Sequence, residues 1–313
     1  MPFAPPKDTY SGKVYSVTIG SDPKGVTVGG ENVLPFHTFE GSSPNRPVIA
    51  YEIQDVPPGD WPEDLQKPYK NVLNDPASWA KFCRDDLGAK AVALRLTGTH
   101  PDRENRSPED AARTVKDVLS ATDIPLIILG SNHAEKDSTV LIAAAEAAKD
   151  RNCIIGKAQE ANYKTIAAAA MANNHKLIAM SELDINLSKQ LNILITQMGF
   201  DKERIITDPM CSALGYGLEY TYSVMERIRL AALTQNDVTM QQPMLGDVGF
   251  YVWKVKEAQA SEADVPQWGS LEERSIAWEA VTAVSLLVAG AELLIMRHPR
   301  AIESVEKVIE ELI

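Results

Sequence analysis

The sequence predicts an α/β fold, a (β/α)8 TIM barrel with an N-terminal β-hairpin extension. Three observations carry this. Short apolar runs recur eight times, helical patterns follow each of them, and the repeat fills about 265 of the 313 residues, close to the ~250 residues of such barrels. The runs fall at 48–53, 91–96, 126–129, 154–156, 177–179, 205–207, 243–245 and 293–296. Each is continuous rather than alternating, as a strand covered on both faces requires. The intervening helices are expected at 77–87, 108–121, 135–149, 163–173, 185–198, 219–233, 271–289 and 301–312. Asp75-Pro76 and Ser107-Pro108 read as helix starts, a capping side chain followed by proline at the first helical position. A doubly wound sheet is the alternative. The count of eight weakens it, as does the lack of Gly-x-Gly-x-x-Gly after the first strand. No Walker-type phosphate loop occurs either.

Before the first run, residues 12–30 alternate around a turn rich in Ser, Asp, Pro and Gly, which is a hairpin signal outside the β/α repeat. Residues 1–45 are therefore expected to form an extension packed on a barrel at 46–313.

A formal net charge of −12 and a pI near 5.0 leave no basic stripe for nucleic acid or an anionic membrane. The longest apolar stretch, 277–296, is broken by Glu279, Gly290 and Glu292 and reads as a buried helix leading into a strand, not a membrane span. The first residues have no apolar core of the secretory kind. Cys83, Cys153 and Cys211 are scattered, which suits a reducing cytoplasm without disulfides.

In a barrel of this class the strand tips form the ligand face. The most informative segment is 205–229, a strand ending at Asp208-Pro209, a loop carrying Gly215, Tyr216 and Gly217, and a helix entered through Glu219. The remaining tips carry Glu52, Asp55, Thr97, Ser131, Asn132, Gln159, Glu160, Asn162, Ser181, Asp184, Asn186, Asp247, Arg297 and His298. Each has a plain reading as a helix cap or loop anchor. Together, with Gly246 and Gly249 nearby, they suit a polar ligand rich in amides rather than a phosphate. Tyr216, Tyr220 and Tyr222 form either an aromatic wall for a flat ligand or ordinary packing. The long polar segment 246–270 matches where barrel enzymes place recognition, and Trp253 and Trp268 on it are interface anchors or core residues with equal weight.

Metal chemistry finds little support. His37, His100, His133, His175 and His298 are isolated, with no ligand-spaced pair and no cysteine at a matching interval. His37 is the most suggestive, and a structural role before the first strand explains it equally well. Three distant cysteines cannot supply the four thiolates of an iron–sulfur cluster. Cys211 has no basic neighbour in sequence, and no Gly-x-Ser-x-Gly elbow exists. No metal-ligating or catalytic residue is expected in this chain.

The stretches LPFHTFEG (34–41), NRPVIAYEIQD (45–55), AQEANYKT (158–165), LDINLSKQLNILI (183–195), the segment 205–233 and LLIMRHP (293–299) resemble, in order, the small subunit of the corrinoid iron–sulfur protein of acetyl-CoA synthesis. That family is the bacterial counterpart of the acetyl-CoA decarbonylase/synthase delta subunit. The resemblance implies a TIM barrel that pairs with a larger subunit, which alone carries a [4Fe–4S] cluster. It implies a corrinoid (cobalamin) shared between the two. The methyl group comes from methyltetrahydrofolate through a methyltransferase and passes to acetyl-CoA synthase/CO dehydrogenase in the reductive acetyl-CoA (Wood–Ljungdahl) pathway. The Asp-x-His-x-x-Gly segment that supplies a cobalt ligand in many corrinoid proteins is absent, in keeping with a family that binds the cofactor without one. The residues expected to hold the corrinoid are Gln159, Asn162, Ser181, Asp184, Asn186, Asp208, Gly215, Tyr216, Gly217 and Asp247. The family's likeness to pterin methyltransferases supplies the rival reading, a methyltetrahydrofolate-dependent methyltransferase using Asp184, Asn186 and Asp208 on the pterin.

Overall fold

A computed structural model describes residues 6–313. Two short strands, β1 (Val17–Ile19) and β2 (Val26–Val28), pair antiparallel as the expected hairpin. Eight parallel strands follow: β3 (Val48–Gln54), β4 (Ala91–Arg95), β5 (Leu126–Leu129), β6 (Ile154–Ala158), β7 (Lys176–Met180), β8 (Ile205–Asp208), β9 (Met244–Gly246) and β10 (Ala291–Met296). They close in sequence order, β10 pairing with both β3 and β9. This is the predicted (β/α)8 barrel. The helices are α1 (Glu63–Gln66), α2 (Pro76–Asp85), α3 (Pro108–Ala121), α4 (Ala134–Ala147), α5 (Tyr163–Ala172), α6 (Ile185–Gln197), α7 (Leu218–Thr234), α8 (Val248–Val252), α9 (Leu271–Ala289) and α10 (Pro299–Leu312). The first two predicted starts hold as read. Asp75 accepts the amides of Ala77 and Ser78, and Ser107 forms a capping box with Asp110. No helix among the described residues is long and apolar enough to cross a membrane.

Because side chains alternate along a strand, two shells result. Ile49, Ile53, Val92, Leu94, Leu126 and Ile128 face outward under the helices. Val48, Ala50, Ala91, Ala93, Ile206, Leu245 and Ile295 belong to a separate cluster inside the barrel. That inner cluster also contains Val17, Ile19 and Val28 of the hairpin. The hairpin is thus a stopper for the N-terminal end of the barrel, its apolar face completing the interior. Beside it Arg229 of α7 is enclosed by Glu31 and Glu292 and donates to the Gly290 carbonyl at 2.8 Å. Residues 1–5, the start of the expected extension, lie outside the described residues.

Candidate functional site: an ion-paired barrel mouth and its rim

Following the inward face of each strand toward its C-terminal tip, apolar residues give way to charge. Val48 and Ala50 lead to Glu52 and Gln54. Ala91 and Ala93 lead to Arg95, Ile206 to Asp208, Leu245 to Asp247, and Leu293 and Ile295 to Arg297. Lys157 joins them from β6. Ile178 lies against Gly156, where even a Cβ would meet it at 2.7 Å.

These six charges form one network. Arg95 Nη2 donates to both Asp247 oxygens at 2.8 and 2.9 Å and to Glu52 at 3.0 Å. Arg297 reaches the other Glu52 oxygen at 2.7 Å. Lys157 Nζ donates to Asp247 at 2.6 Å and lies 2.8 Å from Asp208, a charge contact rather than a well-aligned hydrogen bond. Three cations face three carboxylates, all of them buried. Burial alone would raise both Glu52 and Asp247. The neighbouring cations overcome it, Arg297 then Arg95 at Glu52, and Arg95 then Lys157 at Asp247, leaving both carboxyls below their ordinary range. At Asp208 burial wins over Lys157 and the carboxyl is raised. Lys157, desolvated but flanked by two carboxylates, is held above its usual value and stays charged.

A second layer fixes this network. Glu279 of α9 accepts the backbone amides of Arg297 at 2.6 Å and His298 at 3.0 Å, orienting the end of β10. Tyr69 donates to the Arg297 carbonyl. Gly249 of α8 packs on Arg297, where a Cβ would sit 2.6 Å from its Cγ. Burial pushes the Glu279 carboxyl from near 4.5 up to about 7. A carboxyl raised in the folded state adds stability that is complete below its unfolded pKa and lost as pH rises through the folded one. Between about pH 4.5 and 7 the loss is on the order of 3 kcal/mol. Urea unfolding of Glu279→Gln is expected to lack that slope. An unchanged slope would shift the assignment to Asp55, whose carboxyl burial lifts to about 6.

The residues expected to hold a ligand fall into four groups. Asp208 and Asp247 meet on Lys157, at the heart of the network. Gln159 and Ser181 share a cavity of about 500 Å³ at the rim, between the tips of β6 and β7 and the first turns of α6. Ser181 Oγ is buried there without a partner, and the Gln159 amide finds only the Met180 sulfur at 3.7 Å. Tyr216 is half exposed, with its hydroxyl on Glu257 at 2.9 Å. Its neighbours Gly215 and Gly217 adopt φ of +79° and +96°, and Gly217 caps α7. Three residues have local tasks. Asp184 caps α6, accepting from Asn186 and Leu187. Asn162 closes its own turn, its side-chain oxygen accepting from the Gln159 backbone N–H at 2.8 Å. Asn186 is exposed on α6.

Several expectations need correction. Trp253 is no surface anchor. It is 1% exposed and stacks on His298, because segment 246–270 contains α8, whose inward residues Val248 and Val252 are fully buried. Gly246 makes room for Leu294 and Leu286, and Gly249 for Arg297, so both glycines serve protein packing. Tyr222 packs against the helical shell, and Tyr220 is exposed. Cys83 and Cys153 are core residues, and Cys211 is buried with a thiol that burial, then Asp247 and Asp208, raises strongly. Arg95 and Lys157 escaped the sequence reading altogether. For Arg95 the signal was a single cation at an inward position of an otherwise apolar strand, whereas Lys157 is out of step with inward Ile154 and turns inward at the irregularity between Ile155 and Ala158.

The fold and site together define a barrel whose axis is filled at both ends and whose polar capacity lies at the rim. The family model described as CO dehydrogenase/acetyl-CoA synthase delta subunit matches residues 16–306, and the chain belongs to that family. The acetyl-CoA decarbonylase/synthase complex subunit delta of Methanothermobacter thermautotrophicus is 34% identical, covering 98% of this chain and 78% of that one. Subunit delta 1 of Methanosarcina thermophila is 36% identical, over 94% and 67% respectively. Among solved structures, dihydropteroate synthases share the fold. The Xanthomonas albilineans enzyme superposes with a TM-score of 0.58 at 14% identity, covering 95% of this chain and 97% of its own. The Thermus thermophilus enzyme gives 0.54 at 12%, covering 95% and 100%.

Proposed function

We propose that this chain is the non-catalytic small subunit of a heterodimeric corrinoid iron–sulfur protein, a methyl carrier of the reductive acetyl-CoA pathway within the acetyl-CoA decarbonylase/synthase type of assembly. The observation that carries the reading is the family match along nearly the whole chain, in relatives named as complex subunits. The geometry supports it. A mouth whose three carboxylates and three cations neutralise one another has no free acid, base or nucleophile on the barrel axis.

The donor set fits a corrinoid laid across the rim. Its periphery is rich in amides, and Ser181 Oγ and the Gln159 amide are hydrogen-bonding groups without adequate partners inside the protein. Tyr216 offers a flat, partly exposed face in the loop that follows β8, the strand next to β7. When bound, the corrinoid supplies a cobalt that takes up and releases the methyl group. This chain's residues orient the macrocycle and screen one of its faces from water. The reading assigns this chain hydrogen bonds to the macrocycle rather than a bond to cobalt. The large subunit, with its [4Fe–4S] cluster, completes the site in this reading. The methyltetrahydrofolate methyltransferase and acetyl-CoA synthase/CO dehydrogenase are its partners in transfer.

Co-expression with the large subunit, followed by gel filtration read at corrinoid absorbance, tests this. The pair is expected to retain about one corrinoid, the chain alone none, and Ser181→Ala with Gln159→Ala to lower retention at least tenfold. Tight retention by the isolated chain would overturn it. The rival methyltransferase reading needs Asp184 and Asp208 free for a pterin. One is a helix cap and the other faces Lys157, so the chain with methyltetrahydrofolate and free Co(I) cobalamin is expected to show no turnover.

A further inference from the structure

On the β3–β5 side of the mouth, α8 and the residues after it stand over a cavity of about 380 Å³. Arg95, Arg103, Lys254 and Arg297 line it together with two carboxylates, Asp60 and Asp102. In a chain of net charge −12, three guanidiniums and an ammonium around one cavity call for an explanation. Arg95 and Arg297 lean on Glu52 and Asp247 from the barrel side. Arg103 pairs with Asp60 at 2.9 Å. Asp102 is turned outward beside His100, its side chain 93% exposed.

Lys254 forms no ion pair among the described residues. Its Nζ sits 3.2 Å from the centroid of Phe250, the ring on which Arg95 also rests at 4.6 Å. Burial first, then repulsion from Arg297 and Arg95, pulls its ammonium down to about 8. Asp60 and Asp247 oppose that shift without cancelling it.

The buried donors give the independent sign. Arg95 is 1% exposed and its Nε and Nη1 have no hydrogen-bond partner. Arg297 is 2% exposed and its Nε is equally bare. A buried guanidinium with unmet N–H groups carries a desolvation penalty that an incoming acceptor removes. Guanidiniums match the oxygens of a planar or tetrahedral oxyanion, and charge-assisted bonds of this kind are among the strongest available.

We propose that this cavity binds a small oxyanion, a phosphate or carboxylate group, either free or pendant on a larger ligand at the mouth. Arg95 and Arg297 hold it from below and Lys254 closes over it, with Phe250 setting the distance between the cations. The site is separate from the Ser181–Gln159 rim, and its occupancy needs neither a partner subunit nor a corrinoid.

The test uses the full chain, lysine side-chain NMR, and titration with inorganic phosphate, acetate and dimethyl phosphate at constant ionic strength. Phosphate is expected to raise the Lys254 titration by about one pH unit. Lys254→Met should weaken phosphate binding at least tenfold, and Lys189→Met, which removes a surface lysine paired with Asp237, should leave it unchanged. Preference for the free dianion over the diester identifies a free anion as occupant, and the reverse identifies a pendant group. An unmoved Lys254 titration, an equal shift in chloride, or undiminished binding by Lys254→Met would each overturn the proposal. The failure would leave the methyl-carrier reading intact, since neither corrinoid nor large subunit enters the measurement.

Discussion

Lys157→Met is expected to destabilise the chain by about 3–5 kcal/mol at neutral pH, the range for removing one partner from a buried ion pair. Methionine matches the length of the lysine stem, so the loss reports charge rather than volume. Asp247 keeps Arg95 in the variant. Asp208 keeps only the Met210 amide at 2.9 Å, and its already raised carboxyl must rise further. Stability tied to a raised carboxyl is present below its unfolded pKa and lost as pH climbs through the folded value. The deficit of the variant should therefore shrink as the solution is acidified toward about pH 4. Urea denaturation of both proteins at pH 4 and pH 7 measures it. Equal deficits at the two pH values would mean that Lys157 contributes by packing and that the ion network is incidental.

Ile19→Asp carries the other large effect. Ile19 is fully buried and lies among inward strand residues from the whole circumference of the barrel. Neighbouring polar groups cannot compensate a carboxylate there, and its cost exceeds about 4 kcal/mol. Two outcomes are distinguishable by limited proteolysis read with circular dichroism. If the hairpin is ejected while the barrel persists, cleavage concentrates within residues 6–45 and helical signal survives. If the stopper is integral to the barrel, helical signal and protease resistance disappear together, and the second result is the expected one. Wild-type stability in the variant would show that the hairpin adds nothing to the interior.

Much of the barrel was legible because burial on both faces demands continuous apolar runs. Strand β5 and helices α3 and α9 fall where the periodicity puts them, and the apolar stretch 277–296 is indeed a helix running into a strand. The centre of the mouth was half legible. Carboxylates at strand tips, such as Asp208 and Asp247, stand out against proline and glycine. Arg95 sits inside the run AVALRL and Lys157 one residue past Ile154–Gly156, where each reads as strand punctuation. Alternation carries the missing clue for Arg95, which continues the inward register set by Ala91 and Ala93. Lys157 is an odd step from inward Ile154 and reaches the interior only through the register shift between Ile155 and Ala158. The task of Asp184 was hidden for a different reason. A carboxylate that caps a helix and one that meets a ligand look alike until the amides around it are located. Trp253 was left open between core and surface because five residues of α8 are too few to announce a helix within a polar segment.

The three carboxylates at the top of the barrel are enclosed beneath their cations, whereas contacts such as Arg300 with Glu273 lie in the open. Dissolved salt weakens the open contacts and scarcely reaches the enclosed ones. Heating lowers the dehydration penalty of charged groups, so a dry, mutually neutral assembly loses less ground on warming than an apolar plug of the same size. A carrier of the kind proposed would have to offer successive partners the same docking platform. The girder under that platform, which neither brine nor warmth readily loosens, would supply that constancy.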